Sequence, residues 1–164
     1  MEVGNEQRAI DQVHAAVQRA ARDGHKVLLL LPGGSAAQLI GPLVARLDAH
    51  QDNLTISLTD ERYGPVGHAN SNWPVVAAVQ STLPRTRFVP VLGGGTLAET
   101  ATAFASLLAD HVAADGAIVA LLGIGPDGHT AGIKPHSPAL TVHEFACGYQ
   151  GEDFERVTIA AALF

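Results

Sequence analysis

Three short segments concentrate the residue types that can do chemistry. The most specific is Gly123-Ile124-Gly125-Pro126-Asp127-Gly128-His129-Thr130. Three glycines in six positions impose a constrained backbone. Asp127 and His129 sit two apart, where both side chains can face one cavity. Histidine titrates near neutral pH and suits general-base work, with a carboxylate to hold its tautomer. The second segment, Asp60-Glu61-Arg62, sets two carboxylates beside one guanidinium. Arginine can grip phosphate or carboxylate through two parallel hydrogen bonds, and an acidic neighbour can act as a base or orient a histidine. The bland reading is a solvated ion cluster of little energetic weight. The third is Pro32-Gly33-Gly34-Ser35. It lets backbone N–H groups approach an anion at a helix start. It lacks the P-loop lysine and the G-x-G-x-x-G spacing, so alone it reads equally well as an ordinary turn.

The remaining histidines (14, 25, 50, 68, 111, 136, 143) are scattered and show no metal-ligand spacing. Only His68 and His136 fall in the candidate loops. The single cysteine, Cys147, excludes an internal disulfide framework and a multi-cysteine zinc site. It reads as a small buried hydrophobe in a reducing cytoplasm. Ten basic against sixteen acidic residues give a net charge of −6, which argues against a basic nucleic-acid face. A local site can still attract an anion against that global sign. The acidic, polar N-terminus is unlike a signal peptide. No apolar run is long enough to span a bilayer. At 164 residues with 47% hydrophobic and 16% charged content, the chain is sized for a single domain, 1–164, with a real core.

The elements that must position these segments follow from periodicity. Ile10, Val13, Val17 and Ala20–Ala21 predict a helix over 6–23, stopped by Gly24. Val27–Leu31 predicts a strand buried on both faces. Ser35 is the expected N-cap of a helix running through Leu39, Leu43, Val44 and Leu47, with Pro42 causing a kink or a late start. Leu54–Thr59 predicts a strand leading straight into Asp60. Residues 63–71 predict a loop, and Pro74 opens a short helix. Phe88–Leu92 predicts a strand. Thr96 and Glu99 form a capping box for a helix to about His111. Ala117–Leu122 predicts the most convincing buried strand, and Arg156–Leu163 a last one. Strand and helix alternate, so the expected class is α/β, a three-layer α/β/α with a mostly parallel sheet. In such sheets ligands bind beyond the carboxyl ends of the strands, which brings the three segments to one edge.

Taken in order, LLLPGGSAAQLI, SLTDERYGPVGHANSN and LLGIGPDGHTAGIKPHS resemble the 6-phosphogluconolactonase family, strongly over 27–137. Thr130 after His129 looks like the lactonase version of the third segment. The related glucosamine-6-phosphate deaminases carry an aliphatic residue there and then an Ala-Phe-Asn-Glu-Pro run. Here the run is Ala131-Gly132-Ile133-Lys134-Pro135, with no glutamate for a deaminase relay. The resemblance implies a Rossmann-like fold of the ribose-5-phosphate isomerase and CoA-transferase type. It implies hydrolysis of 6-phosphoglucono-1,5-lactone to 6-phosphogluconate in the oxidative pentose phosphate pathway, with no metal or organic cofactor. By similarity Gly33, Gly34, Ser35 and Gly128 lie at the phosphosugar site, Arg62 contacts the anionic substrate, and His129 activates water.

The chain departs from the family in two places. Lys134-Pro135-His136-Ser137 stands where family members usually have an apolar residue, Pro, Gly and Ser. The Lys134 side chain is expected to point to solvent. Arg156-Val157-Thr158-Ile159 looks like the family's Arg-x-Thr strand, beyond which members continue with further elements. The sequence ends at Phe164, so those elements are expected to be missing. A δ-lactone is an activated ester, so a base, an oxyanion stabiliser and a phosphate clamp are sufficient. His129 would take the proton, Asp127 or Asp60 would hold its tautomer, and the glycine loops would donate to the oxyanion. Two other readings stand beside this one: a glucosamine-6-phosphate deaminase or isomerase, and a non-catalytic phosphosugar-binding domain. The expected partners are a phosphosugar lactone and a second copy of the chain, with no nucleic acid and no membrane.

Overall fold

The structure, a computed structural model, describes residues 3–164. In chain order the helices are α1 (Val3–Arg22), α2 (Ile40–Val44), α3 (Trp73–Ala77) and α4 (Leu97–Ala113). The strands are β1 (Val27–Leu31), β2 (Leu54–Leu58), β3 (Asp60–Arg62), β4 (Arg87–Phe88), β5 (Ala117–Ala120), β6 (Ala146–Gln150) and β7 (Glu155–Ile159).

Five consecutive apolar side chains leave β1 no polar face to show to water, and all five residues are buried. Such a strand needs cover above and below. It lies inside a four-stranded sheet of order β4-β2-β1-β5, in which all pairings are parallel. Leu29 sits opposite Ile56 on one side and Val119 on the other. Helix α1 buries Ile10, Val13 and Val17 against β1 and β5, and Gly24, at φ +88°, ends it. Helix α4 begins with the expected reciprocal capping box of Thr96 and Glu99. It buries Ala101, Phe104 and Leu108 and packs on β6 and β7.

A second sheet, of order β3-β7-β6, is antiparallel. Thr59 joins the two sheets. Its N–H donates to the Leu31 carbonyl (2.8 Å) in the first, and its carbonyl accepts from the Ile159 N–H (3.0 Å) in the second. The chain that leaves β2 therefore crosses directly into β3, and Asp60-Glu61-Arg62 becomes strand rather than loop.

Several elements differ from expectation. The helix expected from Ser35 to Leu47 is a 3₁₀ segment, Gly34–Leu39, followed by the short α2. Gly33, not Ser35, occupies the N-cap, and no side chain caps it. Pro42 accounts for the late α-helical start, since it has no N–H and is tolerated only near a helix beginning. The Phe88–Leu92 strand shrinks to β4, because Pro90 cannot donate to the ladder. The last strand stops at Ile159, and Ala161–Leu163 is a 3₁₀ turn. It pairs antiparallel, which the mostly parallel expectation did not include. Strand β5 is half-buried throughout, because it is the edge of its sheet. Cys147, on the edge strand β6, is half-buried rather than buried, and burial raises its thiol pKa.

Candidate active site

Because the four strands of the first sheet are parallel, their carboxyl ends share one edge. The loops after β1, β2 and β5 meet there around a cleft of about 320 Å³. Gly33, Gly34, Ser35, Asp60, Arg62, Gly125 and His129 all line it. Asp127 reaches it through His129, and Gly128 forms the turn between them. Asn72, Lys134, Asp153 and Arg156 line it as well.

His129 is oriented by Asp127, whose Oδ1 bonds the ring at Nδ1 and also accepts the His129 backbone N–H (3.3 Å). With Nδ1–H donating to the carboxylate, Nε2 is the unprotonated nitrogen, and it has no partner among the described residues. The bond from His129 holds the Asp127 carboxyl below the usual carboxylate range. Gly125 makes the ring position possible, since a Cβ there would lie 2.2 Å from the imidazole. The alternative partner, Asp60, is not at the histidine. It accepts from Thr59 Oγ1 (3.1 Å) and stands 3.7 Å from Arg156. Burial raises its pKa, against the opposing pull of Thr59 and Arg156.

Neither carboxylate of the second segment forms a solvated ion cluster. Glu61 is fully buried. It accepts from the backbone N–H groups of Arg62 (2.8 Å), Asn72 (2.7 Å) and Trp73 (3.1 Å) and from Ser71 Oγ (2.8 Å). One side chain thus closes the 63–71 loop and satisfies donors at the start of α3. Asn72 Nδ2 donates to the Asp60 carbonyl (3.1 Å) and fills the space beside Gly33, where a Cβ would lie 2.3 Å from it. The glycine and the asparagine lock two of the site loops together.

Two of the cations come from the antiparallel sheet, and the third, Lys134, comes from the loop after β5. In the β3–β7 register Arg62 is directly opposite Arg156. Like charges directly opposite each other destabilise a sheet. Both guanidiniums stack on the Phe154 ring, at 5.4 and 5.8 Å from its centroid. Arg62 donates to the Asn70 carbonyl (3.0 Å), yet its buried Nε, like that of Arg156, has no hydrogen-bond partner. Lys134 turns toward Asp153 (3.4 Å) within the cleft, not to open solvent. His136 is exposed outside the cleft, and His68 Nε2 bonds the Arg62 carbonyl (3.0 Å) as a loop staple.

The glycine-loop donors divide unequally. In the third loop the N–H groups of Gly125, Gly128 and His129 serve internal bonds. Those three are therefore not free for an oxyanion, contrary to expectation. Gly34 and Ser35 open a 3₁₀ turn and have no acceptor inside it. The sequence reading missed Asn72, Asp153 and Phe154 as site residues. Asn72 ends the second quoted segment but was given no role there, and Asp153 and Phe154 belong to no motif; the pairing of β3 with β7 and the closure of the 63–71 loop bring them in. Among the described residues no cluster of three or more His, Cys, Asp or Glu could hold a metal.

The family model for glucosamine-6-phosphate isomerases and 6-phosphogluconolactonase matches residues 4–164. The chain is 33% identical over 134 residues to a 6-phosphogluconolactonase of Rhizobium meliloti, covering 79% of this chain and 56% of that protein. It is 29% identical over 147 residues to one of Synechocystis, covering 83% and 60%. It thus spans little more than half the length of these relatives. The fold superposes on a 6-phosphogluconolactonase of Shewanella baltica with a TM-score of 0.79 at 24% identity, covering 96% of this chain and 71% of that one. A monomeric glucosamine-6-phosphate deaminase superposes with a TM-score of 0.66 at 16% identity, covering 96% and 73%. On the match across nearly its whole length, this chain belongs to the glucosamine-6-phosphate isomerase/6-phosphogluconolactonase family.

Proposed function

We propose that this chain hydrolyses 6-phosphoglucono-1,5-lactone to 6-phosphogluconate in the cytoplasm, in the oxidative pentose phosphate pathway. The observation that carries the reading is His129, with Nδ1 held by Asp127 and Nε2 unpartnered, in a cleft that also holds Arg62, Lys134 and Arg156. Nε2 takes a proton from water as its oxygen attacks the lactone carbonyl carbon. The resulting tetrahedral oxyanion needs nearby donors, and the Gly34 and Ser35 N–H groups are available. Collapse breaks the bond to the ring oxygen, which takes the proton back from His129 as a hydroxyl. The arginines and Lys134 grip the phosphate at the far end of the substrate. The reaction needs no covalent enzyme intermediate.

The test is acid release from freshly generated lactone, measured against the spontaneous rate. Wild type is expected to exceed that rate and His129→Ala to fall to it. Equal rates for wild type and His129→Ala would remove the assigned base. Ammonia release from glucosamine-6-phosphate would point instead to a deaminase. Binding of 6-phosphogluconate without turnover would point to a non-catalytic domain. We also propose a homodimer, because β5 is an apolar sheet edge left half-buried. Sedimentation is expected to show a dimer at micromolar concentration, and a monomer there would refute it.

A further inference from the structure

Two arginines face each other across a strand pair, and nearby anions relieve the repulsion. Arg156 has two such partners, Asp60 at 3.7 Å and Asp153. Asp153 lies in the β6–β7 turn, which is closed by the Gly151 N–H on the Phe154 carbonyl (2.9 Å). Its carboxylate accepts from Arg156 Nη2 (2.7 Å) and lies 3.4 Å from Lys134 Nζ. It therefore neutralises two of the three cations that line the cleft, and it lines the cleft itself. Its side chain remains 43% exposed, unlike that of Arg156 at 8%. The carboxylate is the most exposed member of the group, and its Oδ1 also accepts the Phe154 N–H of its own turn (3.0 Å). The buried Nε atoms of Arg62 and Arg156 stay unsatisfied even so.

We propose that Asp153 is a tethered competitor for the phosphate site. It occupies Lys134 and Arg156 when the cleft is empty and is displaced when a phosphate binds. It thereby sets the affinity of the site for phosphorylated ligands. This rests on the reading of the cleft as a phosphosugar site. A phosphate has enough oxygens to take the Lys134 and Arg156 donors that Asp153 vacates together with the Arg62 guanidinium that lines the same cleft. A sugar lactone without a phosphate gains nothing from that exchange. Asp153 thus acts on recognition of the phosphate and not on proton transfer at His129. Its carboxyl is ionised throughout the working range. Burial alone would raise its pKa, but the hydrogen bond and charge of Arg156 bring it down to about 2.

The experiment is calorimetric titration of wild type and Asp153→Asn with 6-phosphogluconate and with inorganic phosphate, alongside steady-state rates on the phosphorylated and unphosphorylated lactones. Asparagine keeps the side-chain shape and removes the charge. Tighter binding of both phosphate ligands by Asp153→Asn, by about tenfold, is expected. That is the scale of removing one partly exposed like charge from an anion site. KM for the phosphorylated lactone falls, while KM for the unphosphorylated one does not move. Equal or weaker phosphate binding in the folded variant overturns the inference and leaves the phosphosugar reading standing. Failure of both proteins to bind either phosphate ligand overturns both. Binding by the variant alone supports competition in its strongest form.

Discussion

At His129 the chemistry depends on which ring nitrogen carries the proton, and Asp127 decides it. Asp127→Asn keeps the volume but offers an amide that can donate to Nδ1, favouring the wrong tautomer. Activity should fall by about a hundredfold or more with little change in KM, as when the carboxylate behind a catalytic histidine is neutralised. Lactonase kinetics check this, and unaltered kcat would show that the tautomer is fixed elsewhere. Asp153 carries a pH-dependent share of stability. Its folded pKa of about 2 lies below the ordinary 3.8. Its stabilisation is complete above about pH 4 and disappears as the pH falls through about 2. With the side chain 43% exposed, solvent screening leaves about 1 kcal/mol of this. Denaturant titrations should show wild type more stable than Asp153→Asn by about that amount at pH 5, with the two converging near pH 2. Asp60 works with the opposite sign: burial raises its pKa, so acid relieves rather than costs stability there.

At the level of elements, two loops are held by single groups. Glu61 gathers three backbone N–H groups and a hydroxyl around one buried carboxylate. Glu61→Gln points an amide N–H at donors. It should cost about 3 kcal/mol in denaturant melts, the scale of breaking a buried charge network. It should also weaken phosphate binding, because Arg62 follows directly in the chain. The Gly33–Asn72 contact couples the first and second loops. Gly33→Ala places a methyl 2.3 Å from the amide and should destabilise by about 1–3 kcal/mol. Removing the obstacle with Asn72→Ala should recover part of that loss. A double-mutant cycle with purely additive energies would show that the two loops are independent.

At the scale of the whole molecule, the net charge is −6, yet Arg62, Lys134 and Arg156 line one cleft. The positive field is therefore local and must be felt at short range. Raising salt from about 0.05 M to 0.5 M shortens the screening length to a few ångströms. It should weaken phosphate binding several-fold, measured calorimetrically, while leaving an unphosphorylated lactone's KM nearly unchanged. Salt-independent phosphate binding would mean that the arginines do not carry the contact. The arrangement also explains why an acidic chain can recognise an anion: the β3–β7 pair of the antiparallel sheet delivers Arg62 and Arg156, and the loop after β5 delivers Lys134.

Much of this was legible in the residues alone. The uninterrupted apolar run Val27–Leu31 requires burial on both faces. Thr96 and Glu99 specify their own cap, and the Gly-rich segment around His129 marks a constrained loop after a strand. These are local facts, set by side-chain type and spacing. What stayed hidden depended on partners distant in sequence. Ser35 looked like an N-cap, but Gly33 took that place, in a turn shaped by its fit against Asn72. Asp60 and Asp127 were equal candidates to hold His129 until Asp60 was drawn away to Thr59 and Arg156. Asp153 and Phe154 carry no motif, and β6 has no periodicity that marks it as a strand. The sequence by itself determined the parallel core, the three loops at its edge and the histidine within them, because these follow from patterning within a few residues. Only the tertiary structure decided the anion site. Arg62 and Arg156 are far apart in the chain, and it is the β3–β7 register that sets them face to face.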